Sequence, residues 1–417
     1  MNHTAPTTSL MPPFFSTVTS GPPELRDIVV MDLAVIMVVA GIMIAITYKL
    51  KQPMVIGYIL AGMVIGPYTP PFSLVSSIET INLLAELGII MLLFVVGTEF
   101  PVAKLRAVGR ISLVVALTEA LGTLVLVFLI AQNLGFSFFD SMFLSLAMSI
   151  TSTVVTVRIL EELGMIKDRS SLLLLGISIV EDILAISILA VLQSVAAQGG
   201  EFSVLGIAIS IGVVAAFIGS TLVIGSRYMP RIIDKAGKTN DYALLLIVIL
   251  ALAFGLSFVA TGLGLSVATG AFLAGVLVAE SKSAAVAKII TTPLRDMFAA
   301  IFFISIGALM DISLIPRYIV PAAIFILASF ASKFLIVTGI LAKAKVDSTT
   351  SIRTGLGMAS AKGELSLVVV KGGQDVGAIS SSLLPILGVV TIVTTFMTPF
   401  IIRFSSRINL SKSEDSS

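Results

Sequence analysis

The sequence predicts an all-α polytopic membrane protein of about thirteen transmembrane helices, arranged as two inverted six-helix repeats. Three observations predict it. First, 57% of the 417 residues are hydrophobic and only 12% are charged, where a soluble domain carries about 25% charged residues. The mean hydropathy of +1.10 is spread along the whole chain, so lipid is the solvent for most of it. Second, polar breaks bearing Gly or Pro cut the chain into thirteen apolar runs, most of them near the ~20 residues that cross a bilayer as helix. Third, Lys and Arg segregate into alternate loops, as expected when cytoplasmic loops collect cations.

Composition also excludes several functions. A formal net charge of +2 gives no basis for nucleic-acid binding. The absence of cysteine removes disulfides, thiol catalysis and cysteine-ligated metals. His3 is the single histidine, so a histidine metal site or catalytic triad has no material. With no Trp, the membrane interfaces rely on Tyr and Phe.

Taken in order, residues 1–26 read as a disordered extracytoplasmic tail. Pro12, Pro13, Pro22 and Pro23 interrupt the apolar run that a signal peptide needs. The spans follow near 27–47, 54–68, 81–97, 110–131, 139–160, 171–194, 203–225, 241–260, 263–280, 295–311, 318–342, 353–371 and 382–403. The second is short and punctuated by Gly57, Gly62, Gly66 and Pro67. Only Thr261-Gly262 separates the eighth from the ninth. With the N-terminus outside, 21 of the 26 Lys and Arg fall in the cytoplasmic loops and the tail 405–417. Arg26, Arg317 and Lys371 fall on the opposite side, and Lys333 and Lys362 lie inside spans. A span missed or invented midway would destroy that split. Spans 1–6 (27–194) and 8–13 (241–404), joined by span 7 and a cytoplasmic loop (195–240), then enter the bilayer from opposite faces. Such inverted repeats commonly hold a transport site at their midplane interface. No clear sequence identity relates the halves.

Ionisable groups at bilayer depth cost several kcal/mol and need a reason. Glu181 and Asp182 sit at the centre of span 6 (ISIVEDILAIS), where the two cannot both snorkel to water; they mark an ion pathway or form a structural pair neutralised by protonation or by a neighbouring helix. Lys333 sits near the middle of span 11 (ASKFLIV), and its partner is expected to be a buried acid, Glu181. That pair is either broken and remade in a transport cycle or permanently structural. Adjacent helical residues diverge by about 100°, so Asp182 can face an aqueous cavity while Glu181 meets Lys333.

Two spans read as broken. Span 5 packs Ser149, Thr151, Ser152 and Thr153 at mid-depth (LAMSITSTVVTV). Span 12 places Ser360, Lys362, Gly363, Glu364 and Ser366 there (GLGMASAKGELSLVVV). Small hydroxylated residues compete for backbone hydrogen bonds and Gly lowers helix propensity. Unwound backbone is tolerated in a membrane where it lines a cavity or packs within protein. Lys362 and Glu364 are read as charges compensating half-helix dipoles. Glu86, Glu119 and the glycine run GAFLAGVL (270–277) are read as structural, and Asp32 as hydrated at the outer boundary.

These residues resemble the monovalent cation:proton antiporter-2 family, which includes Kef-type potassium/proton and NapA-type sodium/proton exchangers. The resembling pieces are KQPMVIGYILAGMVIGP (51–67), LGIIMLLFVVGTEF (87–100), SITSTVVTVRILEE (149–162), VEDILAI (180–186), TGAFLAGVLVAES (269–281), FFISIGALMD (302–311), SKFLIV (332–337) and AKGELSLVV (361–369). They are collinear and cover nearly all the chain beyond residue 30. The resemblance implies an NhaA-like antiporter fold, a homodimer with a dimerisation domain and a mobile core, and two discontinuous helices crossing beside the ion site. It implies that Asp182 is the ion-binding aspartate, that Thr151, Ser152 and Thr153 form the first broken helix, that Gly363 and Glu364 form the second, and that Lys333 is the core lysine. Position 181–182 departs from the family: NapA-type members commonly carry Asp-Asp there and Kef-type members Gln-Asp, whereas this chain carries Glu-Asp. The Kef-type cytosolic nucleotide-binding domain is not expected, so no cofactor is expected beyond the transported ions.

The expected function is exchange of Na⁺ or K⁺ for H⁺ by alternating access, with proton and cation competing for Asp182 and with Ser152 among the metal ligands. A cation channel or gated K⁺ efflux pathway is one alternative, and a sodium-coupled organic-anion symporter is another. No Ser/His, HExxH or equivalent constellation points to an enzyme. A prokaryotic inner membrane is the expected location.

Overall fold

A computed structural model describes residues 25–50, 52–69, 74–75, 77–98, 109–152, 155–156, 159–160, 163–197, 204–239, 241–263, 265, 267–311, 313 and 315–408. Among them the chain is helical, without strands. The helices are α1 (Leu25–Leu50), α2 (Met54–Ile65), α3 (Ile78–Thr98), α4 (Arg110–Asn133), α5 (Phe138–Ser149), α6 (Arg169–Ala197), α7 (Val204–Ser220), α8 (Ser226–Gly237), α9 (Tyr242–Gly262), α10 (Val267–Ala279), α11 (Ala284–Ala308), α12 (Ile315–Lys343), α13 (Ser348–Ser360), α14 (Glu364–Asp375) and α15 (Leu383–Arg407). A helix satisfies its backbone groups internally, which is what a lipid environment demands of an apolar segment.

The helices pack as two groups. In one, α3 lies against α10 and α11, α2 against α1 and α11, and α9 against α10. In the other, α4 lies against α5, α6 and α12, and α13 against α6, α12 and α15. The groups meet where α6 touches α10 and where α15 touches α2. This is the inverted-repeat architecture that the sequence predicts, and its symmetry is visible in the contacts. The pairings α2–α11, α4–α6 and α4–α5 have counterparts in α10–α3, α12–α15 and α12–α13.

Glycine makes the repeat explicit in the first group. A Cβ on Gly62 would run into the Ile304 carbonyl and one on Gly307 into the Ile59 carbonyl; equally, Gly97 faces the Phe272 carbonyl and Gly275 the Phe94 carbonyl. The segments Ile59–Gly62 and Phe272–Gly275 (ILAG and FLAG) are thus equivalent. So are Ile304–Gly307 and Phe94–Gly97. Small residues let membrane helices approach this closely. The halves therefore do retain related segments, at the positions where a side chain cannot fit.

Several bounds differ from expectation. The loop expected after span 7 is helical. A π-helical turn at Thr221–Gly225 leads into α8, which carries Arg227, Arg231 and Lys235. The loop before span 10 is likewise helical, because α11 begins at Ala284 rather than near 295. Hydropathy misses both because charged helical turns at a membrane surface look like loops. Asp32, expected to be hydrated, is buried, and neither carboxylate oxygen has a donor among the described residues.

Candidate functional site

The two broken spans meet in the second helix group. α5 ends at Ser149, whose hydroxyl turns back to the Leu146 carbonyl at 2.8 Å. α13 ends at Ser360, whose hydroxyl turns back to the Gly357 carbonyl at 2.7 Å. Each helix then passes into an extended residue, Ile150 (φ −95°, ψ 144°) and Ala361 (φ −88°, ψ 139°). The extended stretches cross, with Ser152 N donating to the Ala361 carbonyl at 2.9 Å. Gly363 is required at the crossing, because a Cβ there would strike Ser152 Oγ. Glu364 opens α14 one residue later. Its side chain, like the whole of Thr153, lies outside what the structure describes.

Unwinding frees backbone groups, and buried ones need partners. Thr151 Oγ1 donates to the Met358 carbonyl at 2.8 Å. Lys362 Nζ donates to the carbonyls of Met148 and Ile150 at 2.7 and 3.0 Å. On the donor side, Thr151 N donates to Glu181 Oε2 at 3.2 Å and Lys362 N to Thr394 Oγ1 at 3.0 Å. Thr395 Oγ1 donates to the Lys362 carbonyl at 3.1 Å. Thr394 and Thr395 of α15 thus stand where the repeat places Glu181 and Asp182 of α6. Sequence reasoning missed them, although the hydroxyl stripe of TIVTTFMT (391–398) was a signal.

Glu181 and Asp182 point to different neighbours. Glu181 is buried against Lys333, 2.9 Å from Oε1 to Nζ. Lys333 Nζ also lies 2.8 Å from Glu119 Oε1 and 3.0 Å from Thr151 Oγ1. These contacts use all three ammonium donors. Thr123 Oγ1 donates to Glu119 Oε1 at 3.1 Å. Glu119, read from the sequence as structural, is a second carboxylate on the core lysine. The signal was positional, since α4 and α12 are equivalent in the repeats and packing them brings mid-helix residues together. Glu86, by contrast, is exposed on α3.

Asp182, also buried, lines a small pocket of about 20 Å³ together with Ile150, Thr151, Ser152, Gly363 and Leu365 from the crossing region and with Leu93 and Val96 of α3. The pocket thus lies between the two helix groups. It offers a carboxylate, two hydroxyls and unwound backbone, an all-oxygen set of the kind that replaces the hydration shell of an alkali cation. Among the described residues no cluster of three His, Cys, Asp or Glu is arranged to hold a metal.

Comparison with known proteins gives the same architecture. YbaL of Escherichia coli, named as a cation/proton antiporter, is 35% identical over 302 residues, covering 71% of this chain. The chain spans 53% of YbaL's length. The iron transporter MagA of Paramagnetospirillum magneticum is 28% identical over 380 residues, covering 91% of this chain and 85% of MagA. The structure of the sodium proton antiporter MjNhaP1 from Methanocaldococcus jannaschii superposes with a TM-score of 0.65 at 18% identity, covering 91% of this chain and 96% of that one. The family profile described as "Sodium/hydrogen exchanger, transmembrane" matches residues 34–406, and this integral membrane protein belongs to that family.

Proposed function

We propose that the protein exchanges a monovalent cation, Na⁺ or K⁺, for protons by alternating access, with both competing for Asp182. The observation that carries this reading is the pocket at the helix crossing. Its one described acid is Asp182, its other polar groups are neutral oxygens, and one wall belongs to the opposite helix group. Movement of one group against the other would expose such a pocket to either side in turn. A carboxylate cannot cross a low-dielectric layer uncompensated, so whichever positive species it holds becomes the cargo. That requirement makes the exchange obligatory.

The relatives' names support cation/proton exchange, and a single carboxylate among otherwise neutral oxygens suits a monovalent ion better than multivalent iron. Lys333 and Lys362 are held by the fold and act as fixed charges, while Thr151 and Ser152 supply ligands beside Asp182. Glu364, opening α14, is placed to stabilise that helix's N-terminal dipole end. A homodimer, an N-terminus outside and a C-terminus in the cytoplasm of a prokaryotic cell complete the reading. The test is reconstitution in proteoliposomes with side-by-side pH-gradient-driven uptake of Na⁺, K⁺ and Li⁺. Exchange by the wild type and its loss in Asp182→Asn are expected. Gradient-driven exchange that survives Asp182→Asn would overturn the assignment.

A further inference from the structure

The pseudo-symmetry of the crossing is broken at one pair of positions, and the break points to a second role. Ser149 and Ser360 end their half-helices alike, and Ile150 and Ala361 extend alike. One residue on, Thr151 corresponds to Lys362. Each reaches across to main-chain carbonyls of the opposite half-helix: Thr151 with a neutral hydroxyl to Met358, Lys362 with an ammonium to Met148 and Ile150. The acids Glu181 and Asp182 on one side have the neutral Thr394 and Thr395 as counterparts on the other. The first half of the site therefore carries the carboxylates and the second half carries a cation on a tether.

Two converging carbonyls at the C-terminal end of a half-helix, where the dipole is negative, make a cation site. Here they are 2.7 and 3.0 Å from Lys362 Nζ, and the lysine is 1% exposed. Ser329 Oγ adds a donor to the Met148 carbonyl at 2.8 Å. We propose that Lys362 is a tethered cation. It fills a second monovalent-cation position at the Met148 and Ile150 carbonyls, and so restricts the crossing to a single mobile ion, the one at Asp182. The proposal rests on the reading of Asp182 as the cargo site.

The test reads cation binding through stability, so it is independent of transport. The parent is Asp182→Asn, which silences the cargo site; Lys362→Ala and Lys362→Gln are made in that background. Thermal stability of the purified full chain is followed in choline, Na⁺, K⁺ and NH₄⁺ chloride at constant ionic strength. The alanine variant is expected to melt below the parent in choline, which is too large to enter. Na⁺, K⁺ or NH₄⁺ should raise it saturably towards the parent, which itself does not respond. If alanine gives folded protein only when purified in the small cations, that also supports the proposal. If alanine does not fold at all, the glutamine variant should show the same saturable response. The proposal is overturned if neither variant responds to cations beyond the parent, or if glutamine in choline is as stable as the parent, since neutral hydrogen bonding would then suffice. Absence of exchange by the wild type in proteoliposomes would instead refute the proposed function, and it leaves this stability result standing.

Discussion

Replacing Lys333 with methionine removes the ammonium from between two buried acids while keeping most of the side-chain volume. Glu119 loses a contact of 2.8 Å and Glu181 one of 2.9 Å, and the Thr151 hydroxyl loses its donor at 3.0 Å. The lysine and Glu119 are 0% exposed and the Glu181 side chain 1%, so water cannot take over these roles. Breaking a buried pair by removing one partner costs about 3–5 kcal/mol, several times the ~1 kcal/mol of an ordinary hydrogen bond. Two carboxylates are left here rather than one, which places the expectation at the upper end. The sequence has neither Cys nor Trp, so thiol-dye and tryptophan readouts have no target. Fluorescence-detected size exclusion after heating, on a GFP fusion, reports stability instead. Lys333→Met should melt far below the wild type. Adding Glu119→Gln, which removes one of the stranded charges, should recover part of the loss, with a coupling energy of about 0.5–3 kcal/mol. A loss below ~1 kcal/mol, or strictly additive substitutions, would refute the shared-lysine geometry.

Gly275→Ala should destabilise by about 1–3 kcal/mol through overpacking, since its methyl would meet the Phe94 carbonyl; Gly62→Ala should behave alike in the same melting assay, and a neutral result at both would contradict the close approach. Asp347 caps α13 by accepting from Thr350 N at 2.8 Å, so Asp347→Ala should cost about 1 kcal/mol while Asp347→Asn retains most of it. The Thr350 amide, followed by the nearby Arg169, holds the Asp347 carboxyl below its usual range. Its contribution is therefore complete above the ordinary carboxylate pKa and is lost as pH falls through the lowered one. A melting-temperature profile across acid pH should show a small component absent from Asp347→Asn, reduced by solvent screening because the side chain is 48% exposed. Thr394→Val removes the acceptor of Lys362 N and should slow exchange while leaving protein yield intact, which flux measurements in proteoliposomes would check.

Much of this molecule was legible in its sequence because lipid imposes a coarse rule. Apolar runs marked the membrane helices, and hydroxyls, glycine and charge at mid-depth marked both breaks. Glu119 was not legible as a partner of Lys333, because a lone acid in a helix does not name its neighbour; only the packing of α4 on α12 does. Thr394 and Thr395 escaped notice because neutral hydroxyls in membrane helices usually bond their own backbone, and Thr394 does that too, at 2.8 Å to the Val390 carbonyl. The likeness between the repeats escaped because lipid-facing residues diverge freely, leaving it only where Gly62 and Gly275 abut opposing backbone. α8 and the first turns of α11 were read as loops, since their charges mask helical pattern in a hydropathy scan.

The most direct test of competition at Asp182 is the dependence of cation-exchange rate on cation concentration, measured at several pH values in proteoliposomes. The account predicts that acidification raises the half-saturating cation concentration in proportion to proton concentration, while the rate at saturating cation stays constant. A half-saturating concentration that stays constant with pH, with only the maximal rate changing, would contradict a shared site.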